Sequence, residues 1–197
     1  MVRAYHVIFC AYGFWLPNDP RGSWSNFVGA WELLHFGRAT KTCTRQSRAG
    51  AAHDRALRNE AKQALKYPPV SFTGIQARAI ARGFAQYLAK AGLSVWACSI
   101  LPEHVHMVIA RDRRLIEQVI NHLKGSATRR VIQEDLHPLA ACARPGRRPP
   151  HMWARGQWAV YLDSDAGIRR AIGYVRDNPL REGKRRQRWR FVTDYAG

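Results

Sequence analysis

The apolar positions of this chain change period several times, and each change marks an element. Tyr5 to Tyr12 is a run of aromatic and β-branched residues bounded by Gly13, the pattern of a buried first strand. A loop punctuated by Pro17, Asn18, Asp19, Pro20 and Gly22 follows. Residues 37–51 are polar and basic without periodicity and read as a loop or insert. Ala51 to Lys66, rich in Ala, Leu, Arg and Glu, reads as a helix halted by Pro68 and Pro69. Ser71 or Thr73 caps the next helix, which runs to about Lys90 on a stripe that includes Ile75, Ala79, Phe84 and Leu88, with Gly92 as its stop.

Leu93 to Ile100 returns to strand character. A tight turn at Leu101-Pro102-Glu103 leads into a second strand, His104 to Ala110, so the two form a hairpin. Arg113 to about Gln133 is an amphipathic helix with Leu115, Ile116, Val119, Ile120 and Leu123 toward the core. Residues 136–150 are irregular and basic. Trp153 to Leu162 includes a short strand, and Asp163 or Ser164 caps a last helix from Asp165 to about Asp177, ended by Asn178-Pro179. The order β-α-β-β-α-β plus a terminal helix predicts an α+β, ferredoxin-like (split βαβ) antiparallel sheet. Helices pack on one face, and the C-terminal helix is an addition. A single domain over 1–197 is expected, elaborated at 13–70 and ending in a basic tail, 181–197.

Composition adds one strong constraint. The 197 residues carry 32 Lys plus Arg against 14 Asp plus Glu, a formal charge of +18. Such a field attracts polyanions, with nucleic acid the first candidate. An anionic membrane surface is the competitor; it usually needs an amphipathic basic helix or a juxtamembrane cluster, and no apolar span is long enough to sit beside one. Cys10, Cys43, Cys98 and Cys142 are far apart and form no Cys-x-x-Cys pair, which argues against a disulfide framework or a zinc ribbon. The short apolar run near the N-terminus lacks a small-residue cleavage site, so a cytoplasmic protein is expected.

Two constellations carry chemistry. His104 and His106 are two apart on a strand and share a face, where two imidazoles can hold one divalent ion and leave positions open for oxygen ligands. The plain alternative is polar alternation on a half-buried strand. On the last helix, Tyr174 stands at the margin of the Ile168, Ala171, Ile172, Val175 stripe, and Asn178 is one turn further on. An amide oxygen can fill a metal position, and a phenol can attack a phosphorus that a metal polarises. Taken alone, Tyr174 is an ordinary boundary tyrosine. Lys124, Arg129, Arg147, Arg148, Arg181, Lys184, Arg185 and Arg186 are candidate DNA-backbone contacts. Trp15 and Arg21 are candidates for stacking on unpaired bases, although the tryptophan equally suits a loop pinned to the core. Glu103 points to the other strand face and reads as a turn residue.

Together these residues resemble a family. Leu101-Pro102-Glu103-His104-Val105-His106-Met107-Val108 is similar to the His-hydrophobic-His segment of single-tyrosine transposases of bacterial insertion sequences. The Leu115–Arg130 helix resembles the helix that follows it there. Trp153-Ala154-Arg155-Gly156-Gln157-Trp158 and Tyr174-Val175-Arg176-Asp177-Asn178-Pro179 resemble the C-terminal part of the REP-associated branch, and Tyr5–Phe9 its opening strand. The resemblance covers roughly residues 5–12 and 72–190 and explains the 13–70 elaboration poorly. It implies that Tyr174 attacks a phosphodiester of single-stranded DNA, giving a 5′-phosphotyrosine and a free 3′-OH; the aromatic loop and the basic tail point further to a hairpin or a specific single-stranded end as the substrate. It also implies that His104, His106 and Asn178 hold Mg²⁺ or Mn²⁺, and it leaves monomer or homodimer open. A binding module without chemistry, and a metal-dependent hydrolase using water, are the competing readings.

Overall fold

The computed structural model describes residues 1–17, 19, 28–40 and 54–197. Four antiparallel strands form one sheet: β1 (Ala4–Cys10), β2 (Val95–Ile100), β3 (His104–Ala110) and β4 (Trp158–Leu162). Their order across the sheet is β2-β3-β1-β4. This is the split βαβ arrangement expected from the element order, with the two-histidine strand in an interior position.

Two long helices cover one face. In α2 (Gly74–Ala91), Thr73 accepts from the Gln76 backbone while the Gln76 side chain reaches back to the Thr73 N–H, so the cap is Thr73 and not Ser71. Gly92 closes the helix in a left-handed conformation, φ 63°, which glycine adopts without a Cβ clash. In α3 (Ile116–Gln133), Val119, Ile120 and Leu123 are buried. Between sheet and helices lies the main core: Val7 and Phe9 of β1, Val105, Met107 and Ile109 of β3, and Ile80, Phe84 and Leu88 of α2. The helices meet where Gly83 faces the Ala127 backbone, close enough that no side chain fits between. A shorter helix, α1 (Arg55–Gln63), is capped by Asp54 and packs with a 3-10 turn (Trp31–Phe36) into a small satellite core around Leu16, Leu33, Phe36 and Ala61.

Several expectations need correcting. Leu115 and Ile75 are not core residues: they are 65% and 54% exposed, at or beside the first turn of their helices, where the stripe has not yet turned inward. The helix expected over 51–66 has its described part at Arg55–Gln63; residues 51–53 lie outside the described residues. The second strand begins at Val95, two residues later than expected. The added C-terminal helix takes the sheet face that α2 and α3 leave. The last helix, α4 (Asp165–Arg181), lies on it, burying Ile168, Ala171, Ile172 and Val175 against Ala4, Ala97, Val108 and Leu162. Nor does α4 stop at Pro179. A proline removes one helical hydrogen bond. Here it falls in the last turn, is buried with Asn178, and the chain closes with Glu182 N–H to Pro179 O at 3.1 Å. That extra turn carries Arg181 to the site.

Candidate active site

The site forms where α4, packed over β2 and β3, brings Tyr174 beside His106 of β3 and His6 of the neighbouring strand β1. Strand pleating sets its floor. In the β1–β3 register Ile8 lies opposite His106 and Cys10 opposite His104. One step along the same face of β1, therefore, His6 stands diagonal to His106. Their rings stack with centroids 5.3 Å apart, and His6 Nε2 and His106 Nδ1 are 3.1 Å apart. The sequence reading missed His6; its signal was a lone polar residue in phase with His106 in an otherwise apolar strand.

Hydrogen bonds assign a tautomer. The Asn178 side-chain amide lies 3.2 Å from His106 Nε2. With that amide donating to Nε2, the single proton of a neutral His106 sits on Nδ1 and is donated to His6 Nε2. Both rings are held neutral. Burial pulls His6 down to about 4. Burial, aided by the neighbouring His104, His6 and Arg181, holds His106 well below the usual imidazole range. The lone pair of His106 Nε2 thus points at Asn178, and a flip of the amide would present its oxygen to the same space.

The remaining groups come from the end of α4 and from a loop. The Tyr174 ring is edge-on to His6 and to His106, with centroids 5.6 Å away in each case. The Arg181 guanidinium lies over the Tyr174 ring at 4.7 Å. His104 is 4.9 Å from His106 by ring centroids, and its Nε2 is 3.8 Å from Glu182 Oε1. Burial raises the Glu182 carboxyl above its ordinary range. Phe14 leans against His104 at 5.4 Å, and Trp15 stands edge-on to Phe14 at 5.0 Å. Trp15 thus reaches the rim of the site, and Arg21 lies outside the described residues.

The structure brings His104, His106, Tyr174 and Asn178 together from two elements, with His106 and Tyr174 68 positions apart in the chain. It does not support Lys124 as a surface contact. Lys124 is 8% exposed and its ammonium donates to Ala154 O at 2.9 Å and Gly156 O at 2.7 Å. Burial lowers this lysine to about 8. It is a strut that fixes the segment leading into β4, placed inward because its helix position falls on the core side. Arg129, Arg147, Arg148, Arg181, Lys184, Arg185 and Arg186 are exposed. Glu103, in the turn before β3, accepts from Lys62 at 3.0 Å.

Among the described residues no three His, Cys, Asp or Glu side chains gather as a metal-binding group. The donor set that fits a divalent ion is instead two imidazoles and an amide oxygen. In this tautomer the His106 Nε2 lone pair accepts from the Asn178 amide, and a flip of that amide would free the nitrogen and bring the amide oxygen to the same side.

Fold and site together define an α+β protein with a histidine-pair strand under a tyrosine helix. In overall shape the chain is similar to a REP-associated tyrosine transposase solved bound to a REP hairpin, at 11% identity and a TM-score of 0.47, covering 92% of this chain and 68% of that one. It is also similar to a candidate transposase from Deinococcus radiodurans R1, at 12% identity and a TM-score of 0.38, covering 95% of both chains. No family model and no curated protein matches the sequence.

Proposed function

We propose that the protein is a metal-dependent nicking and joining enzyme, of the transposase type, for single-stranded or hairpin DNA. One observation carries this reading: a phenol, two imidazoles and an amide meet under an arginine in a chain with 18 surplus positive charges. The Tyr174 oxygen attacks the phosphorus, the 3′-oxygen leaves, and the 5′ end remains on the tyrosine as a phosphodiester. A 3′-OH attacking that phosphotyrosine reseals a strand, so no nucleotide cofactor is needed. Arg181, over the ring, holds the anionic phosphate against the phenol. The phenolic proton passes to solvent as the bond to phosphorus forms, because His6 Nε2 already accepts from His106 Nδ1–H and the other ring nitrogen of neutral His6 carries its proton. His104, His106 and Asn178 would hold Mg²⁺ or Mn²⁺, which supplies charge stabilisation at the phosphate. The exposed arginines and lysines of the 144–148 loop and the 181–190 tail would hold backbone phosphates, with salt-dependent affinity.

A second reading, a binding module without chemistry, is favoured by one feature: both ring nitrogens of His106 already have protein neighbours at 3.1 and 3.2 Å. A denaturing gel separates the two. Purified protein is mixed with end-labelled single strands from the flanks of its own gene, with Mg²⁺ or Mn²⁺. The expected result is a slow-migrating protein–DNA adduct that needs the metal and is absent in Tyr174→Phe. Cleavage without an adduct, unchanged in Tyr174→Phe, would replace this reading with water-based hydrolysis. Binding without cleavage on every flank would replace it with the module.

A further inference from the structure

On the other flank of α4 there is a second basic cleft. By the ~100° step of a helix, Arg176 stands about 200° round α4 from Tyr174, so it faces away from the site just described. It opens onto a cavity of about 420 Å³ beside strand β2, lined also by Arg186, Arg188, Trp189, Cys98 and Asp194. Its outer wall is the 186–194 segment, and that wall is fixed to the sheet. The Gln187 side chain accepts from Ile100 N–H at 2.7 Å and donates to Ile100 C=O at 2.8 Å. Thr193 N–H donates to Val95 C=O at 2.9 Å.

The hydrogen-bonding capacity left in this cleft is lopsided. Gln187 is fully used by Ile100. Arg186 pairs with Asp177 at 2.6 Å and Arg176 reaches Asp194 at 3.5 Å, while Arg188 has no carboxylate partner among the described residues. Guanidinium groups only donate. The Trp189 Nε1–H is a buried donor with no acceptor. Asp194, wholly exposed, supplies an acceptor at the mouth. Ala97, Cys98 and Val192 make the rest of the lining apolar. The occupant this suits has several acceptor oxygens, a flat apolar part and an edge that donates. The volume lies within the ~300–1,000 Å³ of small-molecule sites, more than a bare phosphate needs.

We propose that this cleft seats one nucleotide of a single DNA strand, its phosphate on the arginines and its base toward Trp189, on the flank of α4 opposite the tyrosine. The inference rests on the nucleic-acid reading above, but needs none of its chemistry. The strand would then cross α4, held at a point away from the bond to be cut.

The test therefore uses the Tyr174→Phe protein in EDTA, with fluorescein-labelled dT4 followed by anisotropy. Arg188→Ala is expected to weaken dT4 binding about tenfold or more, the usual worth of a charge-assisted hydrogen bond. Trp189→Phe, which keeps a ring but loses the N–H, should weaken it roughly threefold to tenfold. Arg78→Ala, an exposed charge on α2, should change it less than twofold. A 4-thiothymidine strand should photocrosslink to the peptide containing Trp189. Unchanged dT4 affinity in Arg188→Ala and Trp189→Phe, with unaltered thermal unfolding, would overturn the proposal. So would crosslinks confined to residues around Tyr174, or an equal loss in Arg78→Ala, which would mean charge alone. Thymidine monophosphate competing as well as dT4 would reassign the cleft to free nucleotides, and tighter binding of a tetraglutamate peptide would reassign it to an acidic protein. Loss of the Tyr174 adduct on gels with these results intact would sink the nicking reading alone.

Discussion

Gly83 tests whether the two-helix layer behind the histidine strand is as tight as described. A Cβ at this position would lie 2.6 Å from Ala127 Cα, 2.8 Å from Ala127 N and 2.8 Å from Ser126 O. Ordinary carbon contacts are ~3.5–4.0 Å, so Gly83→Ala demands about 1 Å of separation. All three neighbours are backbone atoms of α3, so no side chain can swing aside. The helices must part, loosening Ile80, Phe84, Leu123 and their partners at once. Overpacking of this kind costs about 1–3 kcal/mol, while alanine returns up to about 1 kcal/mol of helix propensity. With three backbone contacts that cannot swing aside, the cost falls at the upper end, about 2–3 kcal/mol, and the helix-propensity return leaves a net loss of about 1–2 kcal/mol. For a chain of this length it should lower the melting temperature by about 2–8 °C. Gly173→Ala is the internal control. It also lies within a helix, but nothing stands within 4 Å of its would-be Cβ, so it should stabilise by about 0.5–1 kcal/mol. Thermal unfolding followed by circular dichroism reads both. A Gly83→Ala protein as stable as the wild type, beside a stabilised Gly173→Ala, would refute the close crossing.

Two further outcomes are expected. His6→Phe removes the acceptor of His106 Nδ1–H, and Mn²⁺ affinity measured by electron paramagnetic resonance should fall about 10- to 100-fold. In EDTA the same variant should flatten the acid limb. The folded protein holds His6 at about 4, so the unfolded chain, near 6.5, takes the proton first as the pH falls. Wild-type stability relative to His6→Phe should therefore drop between about pH 6.5 and 4 by about 3 kcal/mol, read from urea unfolding; a constant difference would refute it. Lys124→Met strands two carbonyl acceptors near Ala154 and Gly156, and should cost about 1–2 kcal/mol, while leaving the salt dependence of DNA binding unchanged. A slope reduced by about one unit would restore Lys124 as a phosphate contact.

Much of this fold was legible because the periods were clean. The β3 pair His104 and His106, the α3 stripe and the strand order all follow from alternation and turn chemistry. Where reading failed, a local rule met tertiary packing. Pro179 was expected to stop α4, yet burial against the sheet carries the helix through the lost bond. Lys124 has the composition of a surface residue and the position of a core one, and two backbone carbonyls 30 and 32 residues away decide the matter. His6 is invisible as a site residue until β1 and β3 are put in register, since a lone histidine in a strand has no partner in its own neighbourhood. Glu182 faces His104 only because α4 runs past its proline.

The Gln187 amide does what the next strand's peptide group would do. It offers one acceptor and one donor to Ile100 on the outer side of β2, and Val192 bridges to Val95 a little further along. An uncovered strand of this kind invites pairing with a second molecule. The basic tail is therefore also a guard against polymerisation. A protease that trims it would leave a sheet with a raw margin, open to strand addition by any extended chain nearby. The DNA-holding role proposed for the tail would in this way be tied to keeping the protein apart from its own copies.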